Sequence, residues 1–319
     1  MVEARRFTLL NVVVVLLVLC FGLVLILYFV AKQRWAAQQQ ATATRMVLLY
    51  QAIDQFETAQ GIYPGYRVTQ AIDSSGNPAP ASWAFAILTY LDNADAQAAY
   101  QQYGPQGPDA TRGQKPDLRV ADFIAPGSTR PGPALSFVVN AALPDGRATP
   151  TIPADWPANG IFQNAFPHRV DGELVARSTV SESFVQDHDG LDATLLLAEN
   201  VDAGNWTDIE EPLVGFVWLP TLDPPATARI NGKAEGKVSD PYLLARPCSR
   251  FPKTAPVLFA SGRYTFMAAE IDYLVYMRLM CPADELAAPA GADADYELPS
   301  ALTSLPLGPA PNFSPLDGQ

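Results

Sequence analysis

Residues 1–35 read MVEARRFTLLNVVVVLLVLCFGLVLILYFVAKQRW, and no charge interrupts the twenty residues from Val12 to Ala31. At about 1.5 Å per helical residue such a run spans roughly 30 Å, the thickness of a bilayer's hydrocarbon core. A cleavable secretory signal has an apolar core of only about 7–15 residues, followed by small residues at a cut site. Here the run is longer and Lys32, Gln33 and Arg34 follow it. A helix buried in a soluble core rarely stays apolar on every face for so long. The stretch therefore predicts a permanent membrane anchor. Arg5 and Arg6 on one flank nearly balance Lys32 and Arg34 on the other, so flanking charge gives only a weak vote on orientation.

Working outward, the helical pattern continues past the anchor. Met46, Leu49, Ile53 and Phe56 recur at three- and four-residue spacings and form an apolar stripe. Gly61 and then Pro64 supply the stop. An unbroken helix from about Phe7 to Gln60 would be roughly 80 Å long, half in lipid and half packed on a domain. Beyond it, short apolar or β-branched runs alternate with Pro, Gly and Asp turns: LSFVVNAAL (135–143), GIFQNAF (160–166), ATLLLAENV (193–201), LVGFVWL (213–219) and APVLFASGRYTFMA (255–268). These predict antiparallel strands. Two helices are expected among them, near Trp83–Tyr100 and Ala269–Met280, and residues 104–115 form a Gly/Pro/Gln loop. The Ala/Pro-rich end, which lacks Lys and Arg, predicts a disordered acidic tail. The fold class is α+β. Residues 1–34 are tip and transmembrane anchor, 35–61 an extramembrane stem helix, 62–285 a β-rich antiparallel domain, and 286–319 the tail.

The chain has 319 residues and a formal net charge of −12. Such a surface repels phosphate backbones, which disfavours nucleic-acid binding.

Several segments, in this order, resemble a known family. ARRFTLL with the apolar run is similar to a type IV prepilin start, and GIYPGY (61–66) to the break after the stem. SWAFAILTYLDNAD (82–95) is similar to a Trp-led helix, and LSFVVNAALPD (135–145), NGIF (159–162) and DGLDATLLLAENVDAGNW (189–206) to the central strands and turns. ARPCSRFPKTAPVLFASGRYTFMAAEIDYLVYMRLM (245–280) is similar to a C-terminal hairpin and helix. Together they resemble a large bacterial family of unknown function with a prepilin-like N-terminus and a C-terminal H-x9-DG motif. The resemblance implies a pilin-like domain outside the inner membrane, with envelope or secretion-system proteins as partners and no cofactor or catalysis.

Departures refine that expectation. The peptidase of this family cuts after a glycine, but Arg6 precedes Phe7. Where true pilins carry glutamate, fifth from Phe7, this chain has Asn11. A carboxylate in lipid is costly and persists where it has a task. In pilins the task is attracting the amine that cleavage creates, so an uncut anchor has no use for it. In the C-terminal motif, Phe251 stands at the His position and Ser261 at the Asp position; Gly262 alone survives, as a turn residue.

The remaining chemistry is sparse. Asp187, Asp189 and Asp192 around Gly190 suggest a calcium loop, although Glu199 comes too late to close it and a plain turn explains them better. His168 and His188 are the only histidines and lack zinc spacing. His188 with Ser181 or Ser183 offers a serine-hydrolase alternative, without a G-x-S-x-G elbow. A glycan- or peptide-binding module is the other alternative and needs a concave aromatic patch; Trp83, Trp156, Trp206 and Trp218 read instead as core residues. Outside the cytoplasm Cys248 and Cys281 are positioned in sequence to pair, closing a loop worth about 3–4 kcal/mol, with two separate buried thiols as the other reading. Cys20 lies within the anchor.

Overall fold

The computed structural model describes residues 9–72, 78–103, 116–145, 155–170, 173–175, 179–221, 223–233 and 236–287. Arg6, Phe7, the 104–115 loop and the tail from residue 288 lie outside the described residues, as do the side chains of Asn11 and His168. Among the described residues, six α-helices are α1 (Leu9–Gln60), α2 (Trp83–Ile87), α3 (Ala94–Tyr103), α4 (Glu182–Asp187), α5 (Glu211–Val214) and α6 (Tyr273–Met280). The same residues hold nine strands, β1 (Arg67–Ile72), β2 (Pro78–Ser82), β3 (Phe137–Asn140), β4 (His168–Val170), β5 (Glu173–Val175), β6 (Leu195–Glu199), β7 (Gly215–Phe216), β8 (Thr254–Phe259) and β9 (Tyr264–Ala268). The chain divides into two compact units, Met1–Thr44 and Arg45–Gln319.

In the first unit, the large apolar side chains from Val13 to Val30 all face solvent. No soluble core covers them. Helix α1 extends into the second unit, where Met46, Leu49, Ala52 and Ile53 are buried and Phe56 packs beside them. The predicted stripe is thus a core-facing seam. It stops where expected: Gly61 takes φ +73° and its N–H donates back to the Glu57 carbonyl at 2.6 Å. A left-handed residue there suits glycine.

A five-stranded sheet organises the second unit in the order β7-β3-β6-β8-β9. Its pairs are antiparallel except β3 with β7, which is parallel. Two small antiparallel pairs, β1–β2 and β4–β5, stand apart from it. The molecule is mixed α and β with mainly antiparallel pairing. Central strand β6 is buried along its whole length. Aromatic rings weld the layers: Trp83 meets Phe123 edge-on at 5.8 Å, and Tyr100 lies 5.5 Å from Trp206. Buried indoles stay satisfied, since Trp83 Nε1 donates to the Val214 carbonyl and Trp206 Nε1 to that of Leu118.

Four local expectations change. The 83–100 helix is broken into α2, a 3-10 turn (Leu88–Leu91) and α3, because Asp92 adopts a left-handed φ of 53°. GIFQNAF is not a ladder strand; Phe162 N–H donates to the Asn140 carbonyl, and the segment lies against β3 with Gly160 touching the Ala142 backbone. A Cβ at Gly160 would come within 2.5 Å of Ala142, so close approach explains that glycine. LVGFVWL splits between α5 and the two residues of β7. The C-terminal helix begins later than expected, at Tyr273, where Asp272 caps it by accepting from Leu274 N–H at 2.8 Å.

Candidate functional site

Two surfaces merit a functional reading. The first is the apolar rod itself. An uninterrupted coat of exposed Val, Leu, Ile and Phe is unstable in water, whereas a helix satisfies all its backbone groups internally and is suited to lipid.

The second is a cleft in the second unit, beside a buried carboxyl group. Glu199 closes β6, two residues after Leu197 and so on the same face, past a register irregularity between Leu195 and Leu197. It is 2% exposed, yet its Oε2 has no hydrogen-bond partner. Burial pushes its pKa up to about 7, opposed by the nearby positive charge of Arg250. Glu199 borders a cavity of about 210 Å³ together with Ser128, Thr129, Arg130, Ser136 and Arg250. The cavity reaches solvent at Thr129 and Arg250, which are exposed.

Both guanidiniums are held in place by main chain. Arg130 donates through Nη1 to the Leu135 carbonyl at 2.8 Å and through Nη2 to that of Gly204 at 3.1 Å. Arg250 donates through Nη1 to Gly127 and through Nη2 to Pro126, the latter at 3.1 Å. A guanidinium has five N–H donors, so each retains others for a ligand. Partial burial lowers the Arg130 pKa, and Asp202 and Asp208 oppose that shift.

A further buried network runs through Tyr66, Asp145 and Glu211, and leaves Glu211 Oε1 without a hydrogen-bond partner. The Tyr66 hydroxyl donates to Asp145, whose own backbone N–H donates to Glu211 Oε2 at 2.8 Å. Burial, reinforced by Asp145, holds the Glu211 carboxyl well above the usual range.

The residues singled out from sequence do not converge. Asp189 Oδ2 accepts from Asp284 N–H at 2.8 Å, while Asp192 Oδ1 accepts from Ser261 Oγ at 2.6 Å and lies 3.6 Å from Arg263. Two of the three carboxylates of the suggested calcium loop, Asp189 and Asp192, are thus committed to different protein partners. Among the described residues no cluster of three His, Cys, Asp or Glu side chains is arranged to hold a metal ion. Ser181 caps the start of α4, accepting from Phe184 N–H at 3.2 Å, and His188 follows its end. The six residues of α4 lie between them, and seven helical steps of about 1.5 Å set them roughly 10 Å apart. His188 Nδ1 donates instead to the Phe184 carbonyl at 2.7 Å, with its ring 4.3 Å from the Phe184 ring. No Ser–His couple forms in this arrangement.

The expected Cys248–Cys281 bond is not made; both are free, buried thiols. Cys248 N–H donates to the Glu199 carbonyl, at one end of β6. Cys281 follows Met280, whose carbonyl shares the Asn140 side-chain amide with that of Leu195, at the other end. Four strand steps separate the two ends by about 13 Å, too far for a disulfide. Phe251 packs edge-on to Phe266 at 5.3 Å, and Gly262 turns β8 into β9 at φ +80°. Trp83, Trp206 and Trp218 are buried and Trp156 is half-buried, so no exposed indole platform exists among them.

Sequence reasoning placed Glu199 on a strand only as a ligand arriving too late. The available signal was a carboxylate in phase with Leu195 and Leu197 on an otherwise apolar run. No family model matches the chain, and neither the curated proteins nor the solved structures contain a match.

Proposed function

We propose that this chain is a single-span, pseudopilin-like protein of the cell envelope, with its pilin-like head outside the inner membrane. It acts through contacts with envelope or secretion-system proteins and catalyses no reaction. One observation carries the reading: α1 is bare and apolar from Val13 to Val30, then supplies buried residues to an α+β head from Met46 onward. That is the construction of a tethered domain. Arg6 and Asn11 support an anchor that is neither cut nor equipped for polymerisation, and the resemblance of the 245–280 segment supports the pilin-like head.

The test is alkaline carbonate extraction of membranes from expressing cells, followed by N-terminal sequencing of the retained protein. Retention in the pellet with the residues before Phe7 intact is expected. A soluble product lacking the apolar run refutes the anchor. A product beginning at Phe7, above all a methylated one, refutes the uncut stem.

A further inference from the structure

The cavity beside Glu199 does not follow from a tethering role. Three features distinguish it from an ordinary surface dimple. Its inner wall carries a buried carboxyl group with an unpartnered oxygen, placed there by β6 at the centre of the main sheet. Its rim carries two guanidiniums, each pinned by two carbonyls and each with donors left over. The rest is lined by Ser128, Thr129 and Ser136 together with the apolar Ala125 and Val201, with no aromatic side chain.

Charge selects the ligand. Two guanidiniums against one carboxyl group leave the cavity net positive, so a cation seeking Glu199 would first meet like charges. An anion meets attraction at the rim and, if Glu199 is protonated, an O–H donor at the wall. A carboxylate fits that pair well, because a planar oxygen pair matches the guanidinium fork and accepts a proton from a second carboxyl group. The hydroxyl-bearing lining suits a hydroxylated ligand, and the volume of about 210 Å³ restricts it to a small one.

We propose that this cavity binds a small hydroxylated carboxylate, held by Arg250 and Arg130 and hydrogen-bonded by the carboxyl group of Glu199. The site is formed within the second unit and does not depend on which side of a membrane the head lies.

Binding is coupled to protonation of Glu199. The other groups acting on Glu199 or on its partners are few. Arg250 favours its ionised form. Glu199 in turn acts on Tyr264 and Cys248, whose own pKa values are raised by burial, so both stay neutral near pH 7. Asp202 and Asp208 bear on Arg130. Glu199 with a pKa of about 7 is therefore the group that titrates at the cavity near neutrality. A ligand that binds only the protonated form loses about tenfold in affinity from pH 6 to pH 8.

Isothermal titration of the full-length chain in detergent with glycerate tests this, with glycerol, acetate and inorganic phosphate as comparators. Glycerate is expected to bind at pH 6, about tenfold more weakly at pH 8, and more tightly than acetate; glycerol gives no signal. Arg250→Ala, at an exposed position, is expected to weaken glycerate at least tenfold. Glu199→Gln preserves the side-chain volume and is expected to flatten the pH dependence. No glycerate binding at millimolar concentration and pH 6 overturns the proposal, as does phosphate binding equal to or tighter than that of glycerate. An unchanged pH profile in Glu199→Gln overturns the role of Glu199.

Discussion

Replacing Glu199 by glutamine should make the head less sensitive to rising pH, and the structure sets the size of the effect. In the unfolded chain the carboxyl group titrates near 4.5; in the fold burial raises it to about 7. The folded state thus holds the proton more tightly, so the group's favourable contribution is complete below pH 4.5. That contribution is lost as pH climbs through 7, because ionisation then places a charge at a site that is 2% exposed. At roughly 1.4 kcal/mol for each tenfold change in proton affinity, the loss is about 3 kcal/mol between pH 4.5 and 8. For a domain of this size it corresponds to roughly 6–12 °C in melting temperature. Glu182 and Glu211 are also raised by burial and shift wild-type stability in the same direction, but they are common to both proteins and cancel in the comparison. The assay is thermal unfolding of full-length wild type and E199Q in detergent at pH 5 and pH 8, followed by tryptophan fluorescence. The gap between E199Q and wild type should grow in favour of E199Q by about 2.5 kcal/mol from pH 5 to pH 8. A constant gap would show that Glu199 is solvated in the folded head, and both its burial and its orphaned oxygen would be mistaken.

Three further outcomes are expected. Gly262→Ala forces a Cβ to within 2.7 Å of the Tyr50 ring at φ +80° and should cost about 2 kcal/mol, measured by urea unfolding; adding Tyr50→Ala should return the steric part of that loss, and strict additivity would show that the two do not touch. Asn140→Ala removes the donor shared by the Leu195 and Met280 carbonyls and the acceptor for Ala142 N–H, and should cost about 2–4 kcal/mol in the same assay. Cys248, whose pKa is pushed up to about 11, and Cys281, also raised by burial, should resist maleimide at pH 8 in the native head and react fully in denaturant without reductant; a denatured, unreduced sample lacking those thiols would contradict the free-thiol arrangement.

The parts legible in the sequence are those whose physics is local. The apolar stretch of α1 depends only on side-chain type, and its end on Gly61; the β8–β9 hairpin depends on alternation around Gly262. The parts missed depend on remote contacts. GIFQNAF has the composition of a strand, but Gly160 settles against Ala142 and Phe162 bonds to Asn140, so the segment is shaped by a neighbour eighteen or more residues away. Asp92 has a turn-forming side chain, yet nothing nearby requires it to enter the left-handed region inside an otherwise helical pattern. The cleft is harder still. Arg130, Glu199 and Arg250 come from three separate stretches, and only the packing of β6 at the sheet centre brings them to one wall.

The free cysteines alter the argument about compartment. A small secreted domain often substitutes cross-links for core, but this head has a continuous core running from Met46 to Ala287, with Trp83 and Trp206 fully buried. It has no need of a covalent staple. Its two thiols are also poor oxidation targets, since burial keeps them protonated and the length of β6 keeps them apart. An oxidising exterior would leave such a head unchanged, and so would a reducing interior. Orientation in the membrane must therefore be written in α1 and its flanks, where Arg5 and Arg6 oppose Lys32 and Arg34 nearly evenly. On the reading proposed above, the resemblance of the start to a prepilin, rather than any feature of the head, is what favours placing the N-terminus inside.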